Sequence, residues 1–165
     1  MIKKHQIRLK GLYVLSDVVG IIISFFYSYL FRFYGYIIPV VPERGIPPIK
    51  SYVFVFPLFL FAHMVIFYFQ GFYKSPLKRT RLDNFFLICL NAVLSIAFVQ
   101  IVLNYLYTYS QGPAPLFRVD FKLSHGFLAI YFLAFIFMIS FLRNQIYYYM
   151  KRRYARGLNL KNVLI

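Results

Sequence analysis

Acidic residues are nearly absent. Only Asp17, Glu43, Asp83 and Asp120 carry a carboxylate among 165 residues, against nineteen Lys and Arg. Four scattered carboxylates leave little material for paired acid/base catalysis or a carboxylate-rich metal site. Cysteine is scarcer still. Cys89 stands alone inside an apolar run, which excludes an internal disulfide and reads as a small packing residue. Charge as a whole is low, at 14% of residues where soluble domains lie near a quarter. The sequence holds no Walker loop, no complete glycine-rich dinucleotide fingerprint, no triad spacing and no metal-ligand cluster. No catalytic, cofactor or metal residue is therefore expected within it. A cleavable signal peptide is also missing. The first apolar run is too long for a signal core and lacks a small-x-small site, so it stays as a span.

What is present is apolar: 61% of residues are hydrophobic and 22% aromatic. Four runs, at about 11–34, 51–72, 84–107 and 126–149, each reach the roughly 20 residues needed to cross a bilayer. The expected fold is an all-α membrane protein, an antiparallel up-down-up-down four-helix bundle over residues 1–150. The formal charge of +15 would suit nucleic acid, but its placement excludes that partner. Lys3, Lys4, Arg8 and Lys10 precede the first run. Lys74, Lys78, Arg79 and Arg81 separate the second from the third. Lys151, Arg152, Arg153, Arg156 and Lys161 follow the fourth. The two other loops carry only Arg44 and Lys50, and Arg118 and Lys122. This bias of thirteen against four sets both termini in the cytoplasm. Tyr34, Tyr36, Tyr105, Tyr107, Tyr109 and Tyr147 to Tyr149 cluster at run ends, where an amphipathic ring meets the interface.

Polar residues inside the runs mark the inward faces. Asp17, Gly20, Ser24 and Ser28 recur at spacings of three and four and share one helical face. Asn91 and Ser95 share one face of the third run, and Gln100 and Asn104 the opposite one. Arg32 is placed to snorkel at the far end of the first run. Residues 35–50 hold four of the eight prolines and form an external loop. Gly71 is placed to end the second span, Pro57 to kink it, and Asp83 to cap the third.

Ionisable groups at membrane depth are the candidate functional residues. Asp17 and Arg143 both lie about 8–10 Å from the inner interface at 1.5 Å per residue, so they are expected to pair. That pair reads as structural, with a proton or substrate path as the alternative. His63, at mid-depth, reads as a neutral imidazole hydrogen-bonded across the bundle, with Ser24 and Ser95 at its level. Lys78, Arg79, Arg81, Lys151, Arg152 and Arg153 make up a candidate lipid-phosphate collar at the cytoplasmic surface. Residues 151–165 read as a basic exit followed by LNLKNVLI, the first buried strand of a Rossmann-like soluble domain.

LYVLSDVVGIIISFFYSYLFRF (Leu12–Phe33), GFYKSPLKRTRLDNFF (Gly71–Phe86) and RRYARGLNLKNVLI (Arg152–Ile165) together resemble the N-terminal region of the large polyprenyl-phosphate glycosyl-1-phosphate transferases. Asp17, Gly71 with Tyr73, and Arg152 with Arg153 match that family's early aspartate, its Gly-x-Tyr and its Arg-rich exit. The resemblance implies a bacterial inner-membrane, multi-pass location. It also implies transfer of a sugar-1-phosphate from a nucleotide sugar to undecaprenyl phosphate in polysaccharide biosynthesis. The transfer would occur in a C-terminal domain and use a divalent cation such as Mg. No position here inherits those catalytic roles. The expected contribution of these residues is to anchor and orient the enzyme among membrane lipids, with polyprenyl phosphate and a second copy as candidate partners. The alternatives are the membrane module of a nucleotide-sugar dehydratase or epimerase, and a stand-alone four-span carrier or scaffold.

Overall fold

The computed structural model describes residues 2–35, 46–73, 80–110 and 123–155. They form four helices: α1 (Ile2–Tyr34), α2 (Ile49–Phe69), α3 (Arg81–Ser110) and α4 (His125–Ala155). No strand occurs among the described residues. All four helices are long and apolar enough to cross a membrane, and the protein is a multi-pass membrane protein. Even α2, with 21 residues, spans about 31 Å, the thickness of a hydrocarbon core.

Three helices are longer than the apolar runs suggest. The basic residues flanking the first and fourth runs are good helix formers, and no Gly or Pro falls within residues 2–10 or 150–155 to interrupt the backbone ladder. Hence α1 starts at Ile2 and α4 continues through Lys151 and Arg152. The third helix begins at Arg81 because Thr80, not Asp83, is its N-cap. Thr80 Oγ1 accepts from the Asp83 backbone N–H at 3.1 Å, and Asp83 Oδ2 accepts from the Thr80 N–H at 3.3 Å. The pair closes a reciprocal capping box with Asp83 at the third helical position. The stretch LNLKNVLI and residues 36–45 and 111–122 lie outside the described residues.

Each helix packs on two neighbours in the cyclic order α1, α4, α3, α2, and the α1–α4 seam is the most extensive. Along α1, Asp17, Ser24 and Arg32 meet Arg143 and Ala134 of α4 and Ser124, the residue just before it, in turn. The small-residue face makes this approach possible. Asp17, Gly20, Ser24 and Ser28 are all buried, and a Cβ on Gly20 would lie 2.6 Å from Ile139 Cδ1. Ser24 Oγ donates to the Ala134 carbonyl at 3.3 Å. Close backbone approach, rather than expulsion of water, drives such pairing in lipid. Gly20→Val should force α1 and α4 apart and cost about 1–3 kcal/mol in detergent unfolding titrations. Gly20→Ala should be nearly neutral, since Ile139 Cδ1 can swing aside while the helix gains about 1 kcal/mol of propensity.

Rings fill the interior where the backbones stay apart. Phe25 of α1 lies 5.2 Å from Phe56, Phe59 and Phe127 and 6.0 Å from Tyr131, all edge-on. Between α2 and α4, Phe59 meets Tyr131 at 5.0 Å and His63 meets Phe135 at 4.4 Å. The outer faces are the reverse of a soluble protein. Phe54, Phe69, Ile101, Leu133 and Phe137 are each more than two-thirds exposed, which only a lipid surround tolerates at such extent. Pro57 is also exposed, and α2 runs unbroken through it.

Candidate functional site

The site is assembled by the end of α2. Gly71 adopts φ of +62°, the left-handed conformation that ends a helix. The Gly71 N–H donates to the Tyr68 carbonyl at 3.0 Å, and the Phe72 N–H donates to the Phe67 carbonyl at 3.0 Å. This is a Schellman cap with its usual apolar partner: the Phe67 and Phe72 rings stack at 4.6 Å. The reversal turns the chain back under the bundle. It places Phe72 and Tyr73 beside Arg143 of α4 and Asp17 of α1.

There Asp17 and Arg143 form a two-pronged buried ion pair. Arg143 Nε–H donates to Asp17 Oδ1 at 2.9 Å, and Nη2–H donates to Oδ2. Tyr73 adds a third donor, its hydroxyl lying 2.9 Å from Asp17 Oδ2. The guanidinium carbon sits 3.6 Å from the centre of the Phe72 ring and 5.4 Å from those of Tyr13 and Phe67. Asp17 is fully buried and Arg143 is 8% exposed. A charge at such a site costs several kcal/mol unless it is paired and hydrogen-bonded, and here the two charges balance each other. The Tyr73 phenol is held far above its ordinary range, first by burial and then by the Asp17 carboxylate beside it. It therefore stays protonated and remains a donor to Asp17.

Gly71 carries this geometry. An L-residue forced into the left-handed region costs about 1–2 kcal/mol, so Gly71→Ala should lower stability by that amount. Tyr73 fluorescence or hydrogen-exchange protection should fall with it, because the turn that seats its hydroxyl is the strained element.

His63 has a different surrounding. Its Nδ1–H donates to the Phe59 carbonyl at 2.8 Å, since a carbonyl only accepts. That leaves Nε2 to accept the Tyr131 hydroxyl at 3.4 Å. The partner across the bundle is thus Tyr131, not Ser24 or Ser95. Ser24 donates to Ala134, and Ser95 donates to Asn91 Oδ1 at 3.4 Å. Asn91 in turn bridges α3 to α2 through its Nδ2–H and the His63 carbonyl, at 3.1 Å. Among the described residues no three His, Cys, Asp or Glu side chains come together.

The structure joins Asp17 to Arg143. Lys78 and Arg79 lie outside the described residues. Arg81 opens α3 and Arg153 falls in the last turns of α4. Lys151 and Arg152 are exposed on α4. Arg32, at the far end of α1, reaches the start of α4. It is half-buried over the first turn of α4, where Gly126 has no side chain to block it and Ser124 Oγ accepts from its Nε at 3.4 Å. Sequence reasoning from charge alone missed Phe72 and Tyr73. Their signal is a glycine just past the end of an apolar run, followed by two rings. No family model, curated protein or solved structure matches this chain.

Proposed function

We propose that these helices are the membrane module of a bacterial polyprenyl-phosphate sugar-1-phosphate transferase. In this reading they form an antiparallel bundle in the inner membrane with both chain ends in the cytoplasm. The bundle anchors and orients a soluble domain, continuing from α4, that carries the chemistry with a divalent cation. One observation supports it above others. The resemblance rests on Asp17 in the first run and Gly71 with Tyr73 after the second, residues with no obvious reason to travel together. In the fold they meet at one cluster, which gives that scattered motif a common physical cause: a buried aspartate held by Arg143 and Tyr73. The antiparallel arrangement is supported by the reversed order in which α1 and α4 residues meet. The cytoplasmic ends are supported by the Lys and Arg bias.

The transfer joins the sugar-1-phosphate to the lipid phosphate as a diphosphate and releases a nucleoside monophosphate. Membranes containing the bundle joined to such a soluble domain should perform it with Mg, and residues 1–165 alone should not. Transfer by residues 1–165, or conversion of the nucleotide sugar with no lipid-linked product, would contradict the proposal.

A further inference from the structure

A groove of about 960 Å³ runs between the N-terminal half of α3 and the C-terminal half of α4. Its long wall is apolar, built around Phe132, Ile136 and Phe137, and Ser140, Arg143 and Asn144 cluster at one end. Among the described residues no acidic side chain lines it. The polar end also takes in Thr80 and Asn84, yet donors there go unmet. A guanidinium has five N–H donors, and Arg143 directs one Nε and one Nη2 hydrogen at Asp17. The other three meet no acceptor among the described residues. Ser140 Oγ is buried, and it too has no partner among them. The Asn144 amide is exposed beside them. Donors left unmet at membrane depth are costly, so this end calls for an acceptor from outside the protein.

We propose that the α3/α4 groove holds one membrane lipid bearing a terminal phosphate monoester, with its chain along the apolar wall and its phosphate at the Arg143 end. The apolar wall selects a lipid over a free anion. A monoester presents three free oxygens to the Arg143, Ser140 and Asn144 donors, one more than a diester head. Because Asp17 neutralises Arg143 locally, recognition rests on hydrogen-bond geometry. The exposed Lys151 and Arg152, about two turns further along α4, add the attracting charge. The inference needs the helices to span a bilayer. It does not need the transferase assignment, and its test contains no transfer step.

The test places the full chain in phosphatidylcholine bilayers with a phosphatidic acid carrying a photoactivatable group in its chain. Cross-links should concentrate on α3 and α4 peptides around Cys89 and Ile136, since Cys89 also lines the groove. Unlabelled phosphatidic acid should compete about tenfold better than phosphatidylglycerol, the ratio that one hydrogen bond to a charged group supplies. Inorganic phosphate should not compete. Ile136→Trp should abolish the cross-links, and Ser140→Leu with Asn144→Leu should erase the monoester preference, all with unchanged helical circular dichroism. Cross-links spread evenly over the four helices, or equal competition by phosphatidylcholine, would overturn the proposal. So would competition by inorganic phosphate. The competition series on the unaltered protein decides the matter even if a variant misfolds.

Discussion

Asp17→Asn is expected to destabilise the bundle by about 3–5 kcal/mol, the cost of removing one partner from a buried ion pair. Asparagine keeps the shape and can still accept from Tyr73. It cannot balance the guanidinium, which is then a lone cation under the Phe72 ring. Cation–π attraction of that kind returns only about 2 kcal/mol. Reversible unfolding of the purified protein in detergent, by denaturant titration, measures the loss. The paired replacement Asp17→Leu with Arg143→Met removes both charges together. If the pair serves structure, that double variant should recover most of the stability, as apolar replacements of buried pairs do. A single variant within about 0.5 kcal/mol of the parent would mean that the pair carries no structural weight.

Phe25→Ala should follow, at about 2–4 kcal/mol. In water the same change costs about 3–5 kcal/mol, part of which is the transfer of the ring out of solvent. Lipid tails are as apolar as the core, so that part is largely absent here. What remains is a cavity at the point where rings of α1, α2 and α4 converge. The edge-to-face packing of Phe25 against Phe56, Phe59, Phe127 and Tyr131 disappears with the ring. Phe25→Leu, which fills most of the space, should cost well under half as much. The same unfolding titration separates them. Equal costs for alanine and leucine would point to ring geometry rather than volume.

The four helices were legible because their cause is composition. A run of twenty apolar residues bounded by basic residues has few alternatives in water or in lipid. Helix ends were less legible. Apolarity marks where lipid begins, whereas the backbone ladder stops where a cap stops it, so Thr80 and Gly71 set boundaries that hydropathy does not see. Asp17 and Arg143 could be matched from depth alone, because each is a charge in hydrocarbon at the same level. Tyr73 entered only through the resemblance, and Phe72 not at all. Their position depends on a left-handed residue reversing the chain, and periodicity carries no record of such a reversal. The same holds for His63. Depth suggested serines, but the imidazole pairs with Tyr131, whose long side chain crosses a gap that a hydroxymethyl cannot.

Reporter fusions at each chain end, one enzyme active only outside the membrane and one fluorophore that matures only inside, report the sidedness on which the module's role depends. Four crossings with the basic flanks held inward predict fluorescence and no external activity from both ends. Opposite signals from the two ends would contradict an even number of crossings, and external activity from both would invert the bundle; either result detaches it from the side where the chemistry is proposed to lie.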